Sequence, residues 1–256
     1  MSAPGGLRIG IVIPARNEAQ ALPNILSAIP SWITEVIVVD TASTDGTPEV
    51  ARRLVARVVA EPRRGYGRAC LAGNAALSPE VDTVLFIHAD AADRPEDIVR
   101  LLAPIAAGEA ELVIGARTLG VEPGALTPQQ RFGNGLACLL IRLIWGVRYT
   151  DLGPFRVLRR DALGRLGMRD ETWGWTVEMQ VRAARLGLRV IEVPVGYRRR
   201  IGQSKISGTL SGTIRAGAKV LWVSGRRCWT AYARDAPGVD SRNARNLVGI
   251  SDVSAP

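Results

Sequence analysis

The sequence predicts an α/β protein built on a mostly parallel, twisted sheet with helices on both faces. Short apolar runs rich in β-branched residues recur along the chain, and segments with helical spacing of apolar residues separate them. With 256 residues, 47% hydrophobic and 22% charged, the chain can bury a substantial core, which excludes a disordered or fibrous protein. The predicted strands are 7–13, 35–39, 57–60, 83–88, 111–115 and 189–195.

Six helices are predicted between and after these strands. The second begins with Thr47 as its N-cap, followed by Pro48 at the first helical position and by Glu49 in the first turn. The predicted helices are 18–29, 47–57, 67–77, 95–107, 128–145 and 174–186.

The chain divides into one large domain and a C-terminal extension. We expect the α/β domain to occupy residues 1–210 and an amphipathic helix to follow at 211–234. Residues 235–256 are rich in Asp, Pro, Gly, Ser and Asn, which favours a disordered tail.

Charge is distributed unevenly along the chain, whose net charge is +9. Residues 1–120 hold 11 basic and 14 acidic side chains, whereas residues 121–256 hold 22 and 10. Within 182–234 there are twelve bases and one acid, Glu192. This density indicates an anionic partner such as a phosphate, a nucleic acid or a lipid surface, or else a solvated arginine-rich face.

The cysteine and hydropathy patterns indicate the cellular compartment in which the protein is expected. Three widely spaced cysteines and a single histidine exclude a Cys/His zinc cluster and favour a reducing cytosol. The N-terminal residues lack a signal-peptide pattern, and the longest apolar stretch, 136–147, contains Arg142 and is shorter than the ~20 residues that cross a bilayer. We therefore expect a cytoplasmic protein, either soluble or peripheral at the inner face of the plasma membrane.

Polar residues follow the first, second and fourth predicted strands, where ligands bind in open α/β sheets. The three segments are 13–18, 39–47 and 88–93, and each carries an acidic side chain. Any one of them is also typical of a turn or a helix cap, but together they predict a shared ligand crevice. Glycines in 65–68 open the third helix, where backbone N–H groups can approach a phosphate.

The strings IPARNEA, EVIVVDTASTDGT, RRGYGRACLAGNAAL and HAD resemble the family 2 glycosyltransferases, which have the Rossmann-like GT-A fold. The resemblance extends over residues 8 to about 210 and implies that this domain binds a nucleotide-sugar donor. The residues expected to bind or surround the nucleotide are Pro14, Arg16, Asn17, Glu18, Asp40, Asp45, Gly65, Gly67, Arg68 and His88.

The HAD string stands where this family usually has Asp-x-Asp. By the resemblance, Asp90 ligates a divalent metal, Mg²⁺ or Mn²⁺, on the donor diphosphate. Hard oxygen ligands suit both ions, and a diphosphate leaving group needs its charge neutralised. His88 replaces the first carboxylate, and we expect it to contact the ribose or to support the site rather than to ligate the metal.

The second half of the chain looks most like the dolichyl-phosphate or polyprenyl-phosphate sugar synthase branch. The matching strings include GAR at 115–117, DLGPFR, GWTVEMQ and RRRIGQSK. The resemblance implies that Arg117 and Arg131 hold a lipid phosphate. Arg200 and Lys205 add positive charge that would bring a phosphate acceptor close to a diphosphate donor.

The nature of the acceptor decides whether a catalytic base is needed. A sugar hydroxyl needs a carboxylate to take its proton, and Glu178 is the best candidate for that role, with Asp170 and Glu171 behind it. A phosphate monoester is already anionic at neutral pH and needs none, in which case we expect Glu178 to orient an arginine or contact the sugar. Two further alternatives stay open: Arg156 pairs with Asp151 or contacts substrate, and Trp173 and Trp175 stack on a sugar or belong to the core.

We therefore expect an inverting, metal-dependent glycosyltransferase that moves a hexose from a UDP- or GDP-sugar to a polyprenyl phosphate at a membrane surface. One alternative is transfer to a glycan or small-molecule hydroxyl, and another is a catalytically weak nucleotide-sugar binder. A nucleic-acid binder is disfavoured, because the chain has only three phenylalanines and four tyrosines and no recognisable recognition motif.

Overall fold

The computed structural model describes residues 2–54 and 56–202, which form a seven-stranded sheet flanked by helices. The strand order is β3-β2-β1-β4-β6-β5-β7; neighbours are parallel except β6, which runs antiparallel to β4 and β5. The predicted α/β fold is confirmed. The strands are β1 (Ile9–Ala15), β2 (Glu35–Asp40), β3 (Arg57–Ala60), β4 (Thr83–Phe86), β5 (Leu112–Ala116), β6 (Arg156–Arg159) and β7 (Val190–Pro194).

The six predicted helices lie close to their predicted positions: the fifth has the predicted bounds, the third is shifted by one residue, and the other four are shorter than predicted. Two 3₁₀ turns, Pro4–Gly6 and Pro95–Asp97, accompany them, and the second replaces the predicted first turn of the fourth helix. The α-helices are α1 (Leu22–Leu26), α2 (Thr47–Arg53), α3 (Tyr66–Ala76), α4 (Ile98–Ala106), α5 (Pro128–Trp145), α6 (Arg160–Leu166) and α7 (Trp175–Arg185).

The core explains why the apolar runs form the central strands. Ile11 and Ile13 of β1 and Leu85 of β4 are fully buried, because helices cover both faces of the sheet. α3 packs closely on β1 and β2 at Gly73, where a Cβ would overlap the side chain of Val12. The central strands β1, β2 and β4 are therefore held within the buried core.

β6 and α6 were not predicted from the sequence. β6 contributes only two consecutive apolar residues, and it begins with Arg156, which is 1% exposed. The guanidinium is satisfied internally: it donates to the carbonyl oxygens of Gly153 (2.7 Å) and Thr176 (2.8 Å) and to Gln180 Oε1 (2.8 Å). A buried, fully hydrogen-bonded arginine gives no hydrophobic signal in the sequence.

The predicted N-cap of α2 is wrong by one residue. Gly46 occupies that position with φ +81°, and Thr47 is the first helical residue. The Thr47 hydroxyl instead donates to Asp45 Oδ1 (2.5 Å) and accepts from the Glu18 N–H (2.9 Å). Thr47 thus ties the loop after β1 to the loop after β2.

Some expectations fall outside the described residues. The predicted helix at 211–234, the predicted tail at 235–256 and Lys205 all lie there, so the domain limit at 210 stays a prediction. Among the residues that are described, none of the helices combines the length and apolar character needed to span a bilayer.

Candidate active site

A cavity of about 570 Å³ opens at the carboxyl ends of β1, β2 and β4. Its volume is in the range of pockets that hold small-molecule ligands, and its position is where open α/β sheets bind them. The prediction of a shared crevice agrees with this geometry. Lining residues include Pro14, Arg16, Glu18, Thr41, Arg64, Gly65, Tyr66, His88, Asp90, Thr172, Trp173, Thr176 and Arg200.

Two predicted nucleotide residues shape the loops around the cavity and do not line it. Asn17, at φ +50°, accepts a hydrogen bond from the Thr44 N–H through its side-chain oxygen (2.8 Å). Asp45 accepts from the N–H groups of Ala19 (3.0 Å) and Thr47 (3.1 Å). Burial alone would raise the pKa of Asp45, but these hydrogen bonds outweigh it and lower that pKa.

Asp40 is the last residue of β2, and one of its carboxylate oxygens accepts no hydrogen bond from the described residues. Its carboxylate is 8% exposed, and Oδ2 accepts from the Ser43 N–H at 3.3 Å. Oδ1 is buried and has no hydrogen-bond partner in the described structure. An unsatisfied buried carboxylate oxygen is costly and is available to a hydroxyl or N–H donor. Asp40 itself does not line the cavity, whereas the next residue, Thr41, does.

The glycines at the start of α3 allow close packing, and Gly65 also lines the cavity. A Cβ on Gly65 or Gly67 would overlap the backbone of the segment that precedes α7. The N–H groups of Gly67 and Arg68 donate to the carbonyl oxygens of Thr172 and Glu171, both at 3.0 Å. The expectation that these N–H groups face a phosphate is therefore wrong for residues 67 and 68. The Arg68 side chain is also paired, with the Glu171 carboxylate.

Asp90 lies in the wall of the cavity and is 6% exposed. Oδ1 accepts from the Ala92 N–H at 3.1 Å, and Oδ2 lies 3.4 Å from Arg200 Nη1. One carboxylate oxygen is therefore fixed by the backbone, while the other faces a cation. Of the two predicted bases Arg200 and Lys205, Arg200 lines the cavity, and Lys205 lies outside the described residues.

His88 lies beside Asp90 in the same wall and packs edge-on against Tyr66, with ring centroids 5.0 Å apart. Burial lowers the pKa of His88, which favours the neutral imidazole, although the Asp90 carboxylate acts in the opposite direction. A neutral imidazole can hydrogen-bond a ribose hydroxyl without adding charge.

The metal-ligating side chains at this site fit a divalent ion that a bound substrate also coordinates. Within residues 2–54 and 56–202, no group of three or more His, Cys, Asp or Glu side chains is arranged to hold an ion. Asp90 would therefore supply a single carboxylate, and phosphate oxygens and water would complete the shell, as Mg²⁺ commonly requires. The position of the Arg200 guanidinium shows that the free oxygen of Asp90 already attracts a positive charge.

Arg117, predicted to hold the lipid phosphate, is instead committed to Asp151. Its Nε and Nη2 donate to the two carboxylate oxygens at 2.8 and 2.7 Å, and its guanidinium lies 5.2 Å from the ring centroid of Tyr197. Burial alone would lower the pKa of Arg117, but the bidentate pair outweighs it and raises that pKa. Arg117 is outside the lining of the cavity, so its predicted role has no support in this geometry. The predicted alternative of an Arg156–Asp151 pair is also wrong.

Arg131 is exposed in the first turn of α5 and does not line the cavity. α5 buries Ala137, Cys138 and Ile141 further along the helix, whereas Arg131 in its first turn is exposed. The structure therefore does not bring Arg131 together with Asp90.

Glu178, the candidate base, is fully engaged in holding the loop before α7. The carboxylate is 4% exposed and accepts from the N–H groups of Arg169 (3.0 Å) and Asp170 (2.7 Å) and from Arg182 Nε (2.9 Å). It does not line the cavity. The geometry gives Glu178 a structural role and contradicts its assignment as a base.

The two neighbouring tryptophans separate in the structure. Trp173 lines the cavity, whereas Trp175 is 1% exposed and packs against Phe86 with ring centroids 5.8 Å apart. Trp173 is therefore the one placed to meet a sugar, and Trp175 belongs to the core.

Arg64 is a cavity residue that the sequence reasoning missed. Its side chain is exposed where it lines the cavity, and its guanidinium forms no ion pair or hydrogen bond with another described residue. Arg63, next to it, pairs with Glu61 at 3.0 Å. Both arginines follow β3; they differ in that Arg63 pairs with Glu61, whereas Arg64 lines the cavity.

Replacing Arg64 with Gln is expected to weaken UDP or GDP binding about tenfold, because a charge-assisted hydrogen bond to phosphate contributes ~1.5–3 kcal/mol. Titration calorimetry with Mn²⁺ present measures the dissociation constant. Arg63→Gln is the matched control and should leave that constant unchanged. Equal losses in both variants would show that general charge, not Arg64 itself, governs binding.

Comparison with known proteins identifies relatives of the whole described domain. Residues 10–167 match the profile described as glycosyl transferase family 2. An uncharacterized glycosyltransferase of Mycobacterium tuberculosis is 40% identical over 213 residues, which cover 82% of this chain and 95% of the relative. An undecaprenyl-phosphate mannosyltransferase of Micrococcus luteus is 31% identical, covering 80% and 90%. A dolichyl-phosphate hexose transferase of Haloferax volcanii is 32% identical, covering 80% and 89%.

The fold is also similar to solved structures. A glucosyl-3-phosphoglycerate synthase from Mycobacterium tuberculosis, crystallised with Mn²⁺, UDP-glucose and phosphoglyceric acid, matches with a TM-score of 0.67 and 25% identity. The match covers 85% of this chain and 80% of that one.

Proposed function

Because the chain belongs to glycosyl transferase family 2 and has the GT-A fold, we propose that it transfers a hexose from a UDP- or GDP-sugar to a polyprenyl phosphate, with inversion at the anomeric carbon. The observation that carries the proposal is the cavity in which Asp90 meets the loop after β1 and two arginines, Arg64 and Arg200. Two relatives named for transfer to a lipid phosphate support the choice of acceptor.

The nucleotide is bound at the ends of β1 and β2 in this proposal. Pro14, Arg16 and Glu18 form one wall, and Oδ1 of Asp40 is the buried acceptor available to a ligand N–H or hydroxyl. His88, whose pKa is lowered by burial, lines the same cavity.

The diphosphate lies beside Asp90. A divalent metal held there would neutralise the leaving group. Arg64 and Arg200 supply further positive charge. The hydrogen bond from the Ala92 N–H fixes the orientation of the Asp90 carboxylate.

The transfer step needs no proton acceptor from the protein. An oxygen of the acceptor phosphate attacks the anomeric carbon, the bond from that carbon to the diphosphate oxygen breaks, and the electron pair leaves with the nucleoside diphosphate. The nucleophile is already anionic, so the chain's task is to hold two anions at attack distance. The Glu178 carboxylate already accepts hydrogen bonds from three donors, which agrees with a transfer step that needs no base from the protein.

The outer face of α5 supports a membrane-borne acceptor. Phe132, Leu139, Leu143 and Ile144 are between 47% and 71% exposed. No acidic residue occurs in 123–150, where the three bases are all exposed. An apolar, acid-free and basic helix face complements an anionic bilayer surface, and we propose that it docks there.

The test uses labelled UDP- and GDP-hexoses with Mn²⁺ and phosphatidylglycerol vesicles that carry polyprenyl phosphate. We expect the label to become extractable into organic solvent. The double variant Leu139→Gln/Leu143→Gln should lower the rate with vesicles several-fold, because each exposed leucine contributes apolar area to docking. Val99→Gln removes an equally exposed apolar residue from α4 and should leave the rate unchanged.

Transfer to a hydroxyl is the second candidate, since the similar solved structure holds phosphoglyceric acid. Label that stays wholly in the aqueous phase, on phosphoglyceric acid added to the same reaction, would replace the lipid proposal with this one.

A further inference from the structure

Three consecutive arginines follow Tyr197, and each is anchored differently. Arg198 pairs with Glu96 at 3.0 Å, and Arg199 donates to the carbonyl oxygen of Pro123 at 2.6 Å. Arg200 is the one of the three that lines the cavity, and it lies against Asp90.

The backbone holds Arg200 at this place. The N–H of Arg198 donates to the Ala92 carbonyl oxygen (2.8 Å), and the N–H of Ile201 donates to the Asp90 carbonyl oxygen (2.9 Å). The segment that carries Arg200 is therefore hydrogen-bonded on both sides of that residue to the loop that carries Asp90.

The two carboxylate oxygens of Asp90 are not equivalent. Oδ1 accepts from the Ala92 N–H, whereas Oδ2 lies 3.4 Å from Arg200 Nη1. A metal ion bound by this small carboxylate would lie close to the guanidinium. Two cations this near each other repel strongly at this degree of burial.

We propose that Arg200 is a built-in competitor for the metal at Asp90. The proposal rests on the proposed function, since it assumes a metal bound together with a nucleoside diphosphate. In the nucleotide-free protein the guanidinium neutralises Asp90 and weakens metal binding. When a diphosphate enters, it offers Arg200 another anion, Asp90 is released to the metal, and the two ligands bind cooperatively. By linkage, each ligand strengthens the binding of the other by the same factor.

The test measures Mn²⁺ binding by electron paramagnetic resonance of the free ion, without nucleotide and with saturating UDP or GDP. No sugar transfer takes place in this experiment. Removing the competitor with Arg200→Gln should tighten Mn²⁺ binding in the absence of nucleotide by about tenfold and reduce the nucleotide-induced strengthening by a similar factor. Arg200→Met, of similar length and uncharged, should behave in the same way, and Arg199→Gln should match the wild type.

Unchanged or weaker Mn²⁺ binding by both Arg200 variants without nucleotide would overturn the inference. That result, with wild-type protein that still binds Mn²⁺ and nucleotide together, would leave the proposed function standing. Wild-type protein that binds neither UDP nor GDP in the presence of Mn²⁺ would instead remove the proposed function.

Discussion

Asp90→Asn is expected to lower the rate of sugar transfer by about a thousandfold, since the loss of a metal-binding carboxylate removes several kcal/mol of charge stabilisation at the leaving group. Asparagine keeps the side-chain oxygen that accepts from the Ala92 N–H, so the loop should remain folded. The measurement is the initial rate with saturating donor, together with the Mn²⁺-dependent shift in melting temperature, which should disappear.

Asp161→Asn is the control for this substitution. Its carboxylate is 67% exposed in an ion pair with Arg159, outside the cavity, and its rate should equal that of the wild type. Full activity of Asp90→Asn would contradict the role of Asp90. A wild-type protein that binds nucleotide but turns over no donor would favour the weak nucleotide-sugar binder.

Glu178→Gln is expected to destabilise the fold strongly while preserving transfer by the folded molecules. The substitution places an amide against backbone N–H groups and leaves Arg182 without its buried partner, which costs about 3–5 kcal/mol. The melting temperature should fall by roughly 10 °C. The rate per folded molecule should stay within about threefold of the wild type, whereas loss of a general base lowers rates by about 10²–10⁴.

Glu49→Gln provides the comparison for stability. Glu49 forms an exposed pair with Arg52, with both side chains 61% exposed, and its loss should change the free energy of unfolding by less than about 1 kcal/mol. A Glu178→Gln protein that melts like the wild type but has lost transfer would restore Glu178 as the base, and with it the hydroxyl acceptor.

The strands that end at the cavity could be predicted because their signal is local. β1, β2 and β4 are apolar runs that stop at polar residues. Because the carboxyl ends of parallel strands lie at the same end of the sheet, Arg16 after β1 and Asp90 after β4 line one cavity. Hydrophobic periodicity and the rule for strand ends suffice for that much.

The pairing of charged side chains could not be predicted, because it depends on distant backbone positions. Arg117 meets Asp151, 34 residues away, while Arg156, closer to Asp151 in sequence, turns to carbonyl groups. Arg63 and Arg64 are chemically identical neighbours, yet only Arg64 faces the cavity. Residue type alone therefore predicted arginines at the cavity, and Arg16 and Arg200 do line it, whereas Arg117 does not and Arg64 was not predicted.

The reversed strand β6 divides the sheet into two blocks of parallel strands, β3-β2-β1-β4 on one side and β5-β7 on the other. Every loop that meets Asp90 from β1, β2 or β4 belongs to the first block, whereas α5 follows from the second. The second block nevertheless reaches the same cavity, because Arg200 follows β7 and Trp173 precedes α7. Exchanging α5 between relatives would instead replace a helix that supplies no lining residue to this cavity.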